Sequence, residues 1–363
     1  MARQQKVDRN AWLRAELLRW FDTAARDLPW RGQGRTPYRV LVSEFMLQQT
    51  QVATVIPYFE RFVASFPSVD ALARADEADV LRHWQGLGYY SRAKRLQAAA
   101  KAIVDDHGGR VPRDVATLLT LPGVGRYTAG AIASIAYGVA APIVDGNVSR
   151  VLVRLDAVRE DPTEKATIDR LWQRADELVQ GERPGDFNSA MMELGATVCV
   201  PQNPRCLVCP VAEICRANEL GLADDIPPPK KQKAVAVERR KVYRVTDRSG
   251  RLLVEQRPAK GRWAGLWQFP TRSIDDAPPI DAEWQPLGRV SHRLTHRQYE
   301  FDCYTSAVAT PDTPPGTVWK LPAELDKLAM SKPQLTIRSM PVPAEAESKV
   351  ARTKRRAPAA SPR

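Results

Sequence analysis

No stretch of this sequence is apolar for long enough to cross a bilayer as a helix. Its opening, Met1 to Trp12, lacks the apolar core of a secretory signal. Nothing therefore marks the chain for export, and a disulfide framework is not expected. A soluble, reducing compartment follows. Cysteine is scarce, with five in 363 residues, yet four of the five fall within one short segment. Acidic charge is outweighed: the formal net charge is +12. A polyanionic partner fits that excess. The plainer alternative is a basic chain kept soluble by its charge, and the tail from Pro341 to Arg363 does carry part of it.

The clustered cysteines are Cys199, Cys206, Cys209 and Cys215, with gaps of six, two and five residues. Thiolates this close in sequence can converge on one metal centre. A zinc knuckle pair repeats a short Cys-x-x-Cys unit twice, and only Cys206 and Cys209 form such a unit. A cubane iron–sulfur cluster also takes four thiolates and tolerates longer, uneven loops between them. Structural zinc stays open as the alternative. Cys303 lies far from the others and reads as a small buried hydrophobe.

A chain of 363 residues suggests two or three domains. From about Trp12 to Asp225, apolar residues recur at helical spacing, as in Leu13, Leu17 and Trp20, or Ala129, Ile132 and Ala136. Pro and Gly punctuate this region into short helices. Pro227-Pro228-Pro229-Lys230-Lys231 then reads as a stiff, solvated linker. Beyond it come short apolar runs and alternation: Val242 and Val245, Leu252 to Val254, and Tyr299, Phe301 and Cys303. These are strand signatures. The expected organisation is a mostly α domain over 1–225, a linker over 226–240, an α+β domain over 241–340 and a basic, disordered tail over 341–363.

Two stretches carry candidate chemistry. In Leu121-Pro122-Gly123-Val124-Gly125, two glycines allow a tight turn, and the N–H groups there and at the start of the next helix can point at one anion. A plain turn is the competing reading of Gly123 and Gly125. With Pro before them and a small-residue helix after, they resemble the helix-hairpin-helix of DNA repair glycosylases, which grips backbone phosphate. The second feature is a pair of carboxylates. Glu44 is flanked by apolar residues, so burial would keep its carboxyl protonated and able to donate. A glutamate in a helix's first turn, interacting with the dipole, is the bland alternative. Asp145 precedes Gly146-Asn147 and could be only a helix N-cap. Two carboxylates in unlike environments can cleave a glycosidic bond, one protonating the leaving group and the other stabilising positive charge on the sugar.

Taken together the motifs resemble those of MutY-type adenine DNA glycosylases, over roughly Leu28 to Met340. The resemblance rests on Leu28-Pro29-Trp30-Arg31, on Ser43-Glu44 with Met46-Leu47-Gln48-Gln49-Thr50, and on Gly86-Leu87-Gly88-Tyr89-Tyr90-Ser91-Arg92. It continues through Leu121 to Ala129, Val144 to Val148 and the four cysteines. It implies a helix-hairpin-helix domain with a [4Fe–4S] module at 199–215, joined to a Nudix-like domain. It also implies a monomer in the bacterial cytoplasm, associated with the nucleoid and acting on duplex DNA that carries A opposite 8-oxoguanine or G. Glu44 would be the general acid at adenine N7, and Asp145 the carboxylate beside the oxocarbenium-like sugar, with Tyr127 and Asn147 in support. Arg26, Trp30, Arg31 and Leu47 would wall the adenine pocket. Gln49 would wedge into the stack beside 8-oxoguanine, with Thr50 and Leu87 nearby, and Tyr89 would intercalate. For Trp30, Leu47, Leu87 and Tyr89, ordinary core packing is the alternative.

Arg257 to Pro270 resembles the start of the family's Nudix-like domain. No Arg-Glu-x-x-Glu-Glu run follows, so metal-dependent pyrophosphatase chemistry is not expected. His292-Arg293-Leu294-Thr295-His296 resembles the family's lesion-reading loop, which would bring Thr295 and His296 to the 8-oxoguanine. Leu294 departs from the usual aromatic there. Endonuclease III-type glycosylases with lyase activity share the hairpin, the Asp and the cluster. They carry a Lys where this chain has Tyr127, so little or no lyase activity is expected. A non-catalytic damage-binding protein is the other class considered, and the presence of both Glu44 and Asp145 argues against it.

Overall fold

Helix starts follow local capping chemistry. Thr36 is extended, its hydroxyl accepts the Arg39 backbone N–H at 3.3 Å, and Pro37 takes the first helical position, where no N–H is needed. In this computed structural model of the chain, the residues described are 8–32, 35–228, 235–294, 297–309 and 313–342. Twelve helices come first among them: α1 (Arg9–Ala24), α2 (Pro37–Leu47), α3 (Val52–Ser65), α4 (Val69–Arg74), α5 (Glu77–Trp84), α6 (Ser91–His107), α7 (Val115–Thr120), α8 (Arg126–Tyr137), α9 (Gly146–Leu155), α10 (Lys165–Val179), α11 (Pro184–Thr197) and α12 (Arg216–Glu219). Seven strands follow: β1 (Ala236–Asp247), β2 (Leu252–Gln256), β3 (Trp267–Gln268), β4 (Thr271–Arg272), β5 (Gln285–Arg293), β6 (Arg297–Val308) and β7 (Thr317–Lys320), then α13 (Pro322–Leu325) and α14 (Lys332–Ser339).

The chain divides into two compact units. One takes in the chain up to Ala75 and from Arg95 to the proline-rich linker; the other takes in Asp76–Lys94 and the chain beyond that linker. The 1–225 helical domain expected from sequence therefore differs from the compact unit, because the segment holding α5 groups with the C-terminal part. Helical periodicity reports the element and not the body it packs with.

In the first unit, Leu13 and Leu17 of α1 are fully buried, as their spacing predicts. Almost all of α2 is buried, from Tyr38 to Met46. Close approach depends on missing side chains. A Cβ on Gly130 of α8 would stand 2.3 Å from the Pro142 carbonyl oxygen, and one on Gly185 of α11 would stand 2.3 Å from that of Ser134. The small residues of α8 thus let α11 and the segment leading to Asp145 lie directly against it.

In the second unit, β3, β2, β1, β6 and β5 run side by side, with β4 also pairing β1 and β7 pairing β2. β1 and β6 are parallel, Val242 opposite Cys303, and β5 is antiparallel to β6. Val242, Val254, Phe269, Phe301 and Cys303 form the core on one face of the sheet, with Met330 and Ile337 packed in. Tyr243, Val245 and Leu253 form a smaller cluster. Cys303 is buried there, as expected. β1 begins at Ala236, inside the segment expected to be linker. The backbone pairs with β6 from Ala236 onward, through Glu238, Arg239 and Arg240, and backbone pairing is indifferent to side-chain charge. The 343–363 part of the expected tail lies outside the described residues.

Candidate active site

A cleft of about 1380 Å³ opens in the first unit. Glu44, Tyr127, Asp145 and Asn147 line it, together with Arg26, Trp30, Arg31, Leu47, Gln49 and Thr50. Ten of the residues singled out from sequence thus meet at one cavity, although they come from α1's C-terminal side, α2, α8 and α9.

Glu44 sits near the C-terminal end of α2, not in its first turn, so the dipole reading does not apply. Its residue is 4% exposed, and its Oε2 is buried with no hydrogen-bond partner among the described residues. Burial pushes its carboxyl up to about 7, Tyr127 pulls the other way, and the charge of Asp145 adds to the rise. Near neutral pH this group can therefore carry a proton. Tyr127 is held well above its ordinary value, first by burial and then by the two carboxylates, so it stays a neutral phenol. Its hydroxyl donates to the Met192 sulfur at 3.1 Å.

Asp145 is a helix N-cap after all: Oδ1 accepts the Val148 N–H at 2.7 Å at the start of α9. That does not remove it from the cavity. The cap fixes the carboxylate, and Oδ2 accepts from Asn147 Nδ2 at 3.1 Å. Asn147 Oδ1 in turn accepts from Arg150 at 2.8 Å, and Arg150 Nε donates to the Cys199 carbonyl at 2.8 Å. One polar chain thus runs from the cavity to the first of the clustered cysteines.

Glu193, on α11, is a residue the sequence reading missed. It lines the same cavity, is 1% exposed, and pairs with Arg26 at 2.5 Å and Arg31 at 2.9 Å. Burial alone would raise its carboxyl, but the two guanidiniums outweigh burial and hold it below the usual carboxylate range. The wall of the cavity is therefore a charged triad as well as the apolar surface of Trp30, whose ring meets Phe59 edge-on at 5.2 Å. A lone carboxylate within Ala190-Met191-Met192-Glu193-Leu194 was the available signal.

The candidates for DNA contact are more scattered. Gln49 and Tyr89 are non-glycine residues in left-handed backbone, at φ 57° and 47°, a strained state found at functional sites. Gln49 is exposed on the cavity rim, and Tyr89, in the second unit, is 46% exposed. Leu87 is buried, as the core-packing alternative has it. Gly123 has φ 80°, and a Cβ there would stand 2.7 Å from that of Arg95. Gly125 is the N-cap of α8, and both glycines are exposed. Thr295 and His296 lie outside the described residues; Leu294 and Arg297, on either side, are joined by a 2.7 Å backbone hydrogen bond.

Cys199 follows the end of α11, and Cys206, Cys209 and Cys215 lie on two short 3₁₀ turns and the start of α12. Burial raises the thiols of Cys206, Cys209 and Cys215, and the charge of the neighbouring sulfurs adds to the effect. Backbone N–H groups of Val211, Ala217 and Asn218 point at the sulfurs of Cys209 and Cys215. Four thiols with N–H donors suit a thiolate-ligated iron–sulfur group. Among the described residues, no three His, Cys, Asp or Glu side chains are drawn together closely enough to hold a single metal ion. No described helix is long and apolar enough to cross a membrane.

Comparison with known proteins agrees with this layout. Residues 42–177 match the family described as HhH-GPD superfamily base excision DNA repair protein, 199–215 the iron–sulfur binding domain of endonuclease III, and 242–339 the NUDIX domain. The adenine DNA glycosylase of Homo sapiens is 38% identical over 88% of this chain and 72% of its own length. That of Mycolicibacterium smegmatis is 46% identical over 57% of this chain and 69% of its own. Among solved structures, a thermostable thymine-DNA glycosylase aligns with a TM-score of 0.53 and 30% identity, over 58% of this chain and 97% of that one.

Proposed function

The chain belongs to the adenine DNA glycosylase family, and from that premise we propose that it removes adenine paired with 8-oxoguanine or G in duplex DNA, with Glu44 as the acid and Asp145 as the charge stabiliser. Its class is plain: an N-glycosyl hydrolase of base excision repair that acts on adenine in DNA and carries an iron–sulfur group. What carries the finer reading is the buried, unpartnered Oε2 of Glu44 in the same cavity as Asp145.

The roles follow from the environments. Adenine leaves its sugar as a poor anion unless it is protonated first. Glu44, which keeps a proton up to about pH 7, can hand it to N7 as the C1′–N9 bond opens. The sugar then becomes electron-poor at C1′. Asp145, fixed by the Val148 N–H and Asn147, would stabilise that charge until water adds its hydroxyl at C1′ and returns its proton to Glu44. The extruded base would stack on Trp30 and face the Arg26–Glu193–Arg31 triad. Extrusion costs a few kcal/mol of stacking and pairing. Gln49, held in left-handed backbone on the cavity rim, is the side chain that would fill the gap.

Absence of an amine at Tyr127 supports a glycosylase with at most weak lyase activity. We assign the group as a [4Fe–4S] cluster, which Cys199, Cys206, Cys209 and Cys215 would hold, because such a cluster tolerates their uneven spacing. The preference for 8-oxoguanine is assigned to Thr295 and His296 on the strength of the sequence resemblance. We also propose that the protein acts as a monomer.

One assay separates the readings. A duplex with A opposite 8-oxoguanine should yield an abasic strand that breaks only after alkali. A break without alkali would favour the lyase reading, and an intact strand after alkali would leave only a binding protein. Thr295→Ala with His296→Ala should narrow the preference for 8-oxoguanine over G while sparing chemistry on A. An unchanged preference would remove that loop from the role.

A further inference from the structure

Arg154 lies at the end of α9 and is 2% exposed. Its Nε donates to the Ile226 carbonyl at 2.6 Å, Nη1 to that of Val200 at 2.7 Å, and Nη2 to that of Pro201 at 3.0 Å. Nη1 also stands 3.4 Å from the Cys199 sulfur, and the Cys215 sulfur stands 3.5 Å from the carbonyl oxygen of Arg154. The residue therefore touches the first and the last of the four thiols. It also ties the chain just after Cys199 to Ile226, beyond α12. No carboxylate among the described residues forms an ion pair with it. A guanidinium keeps its charge in any protein setting, and a buried charge without a counter-ion is destabilising. Carbonyls satisfy its hydrogens but supply no negative charge; a metal-bound thiolate at Cys199 would.

We propose that Arg154 is a positioning residue for the iron–sulfur group, clasping both ends of its loop and supplying its fixed counter-charge. This rests on the iron–sulfur reading. The potential of such a group responds to nearby charge and to hydrogen bonds at its sulfurs. A cation at Cys199 stabilises the more electron-rich state, so removing it lowers the midpoint potential. Arg154→Gln keeps N–H donors without charge, and Arg154→Lys keeps the charge but cannot span three carbonyls.

The test uses the full chain in three forms: wild type, Arg154→Gln and Arg154→Lys. Iron and sulfide content, the midpoint potential of the bound group, and the rate of iron loss to a chelator are measured on each. The expected result is a lower potential in Arg154→Gln, a near-wild-type potential in Arg154→Lys, and faster iron loss in both. Equal potentials in wild type and Arg154→Gln would overturn the counter-charge role. Should Arg154→Gln fail to fold, Arg154→Lys decides: a shifted potential or an unchanged rate of iron loss contradicts the proposal. Wild type without iron and sulfide would defeat the underlying reading as well, which separates the two failures.

Discussion

The charge of Asp145 acts on the carboxyl of Glu44 in the direction that burial already sets, and the two together raise it to about 7 against the opposing pull of Tyr127. Folded protein therefore holds a proton between about pH 4.5 and 7 that the unfolded chain releases. Stability falls as pH rises through that window, by on the order of 3 kcal/mol at most. Glu44→Gln has no such loss. It should melt above wild type at pH 8, and the difference should shrink towards zero below pH 4.5. Denaturant unfolding of both proteins at the two pH values checks this, and a variant no more stable at pH 8 would contradict the raised carboxyl.

Glu193 has the opposite sign. Arg26 and Arg31 hold its carboxyl low, so its stabilising effect is present above the ordinary carboxylate value and is lost as pH falls through its lowered one. Glu193→Gln leaves two guanidiniums sharing a neutral amide. At neutral pH it should cost about 1–3 kcal/mol, Arg26 being partly exposed. The two proteins should converge in acid. Duplex affinity and the rate of adenine release, measured separately, should show weaker discrimination for adenine over other purines.

Gly130→Ala tests how the cavity is built. The new methyl would need the space of the Pro142 carbonyl, 2.3 Å from its ideal position. Backbone must shift, at a cost of about 1–3 kcal/mol, and the segment that shifts leads to Asp145. Adenine release should slow about tenfold or more with duplex binding nearly intact. A wild-type rate in a folded variant would show that Asp145 is positioned by its helix cap alone.

The parts legible in the sequence are those whose signal is local. Pro122, Gly123 and Gly125 announce their hairpin within five residues, and Asp145-Gly146 announces a helix start. Glu44 stands out because its neighbours along the chain are apolar. The uneven cysteine spacing reads as a cluster loop for the same reason. What escaped depends on distance. Glu193 is a ligand of Arg26 and Arg31 only once α11 has packed beside the segment that follows α1, more than 160 residues earlier in the chain. Arg154 looks like a solvated helix charge until its acceptors at Val200, Pro201 and Ile226 are in place. The strand from Ala236 to Arg240 was hidden by its charge, because the pairing with β6 is a property of backbone. Asp76–Lys94 reads correctly as helix and turn, but no local pattern says which unit it joins.

The rate of adenine release in a single turnover, followed from pH 5 to 9 on a duplex with A opposite 8-oxoguanine, bears most directly on the claim that Glu44 delivers a proton while Asp145 shelters the sugar. The rate should be level in acid and fall about tenfold per pH unit above about 7, where Glu44 loses its proton. Glu44→Gln should bind the same duplex and release no adenine at any pH. A rate that stays level to pH 9, or excision retained by Glu44→Gln, would contradict the account.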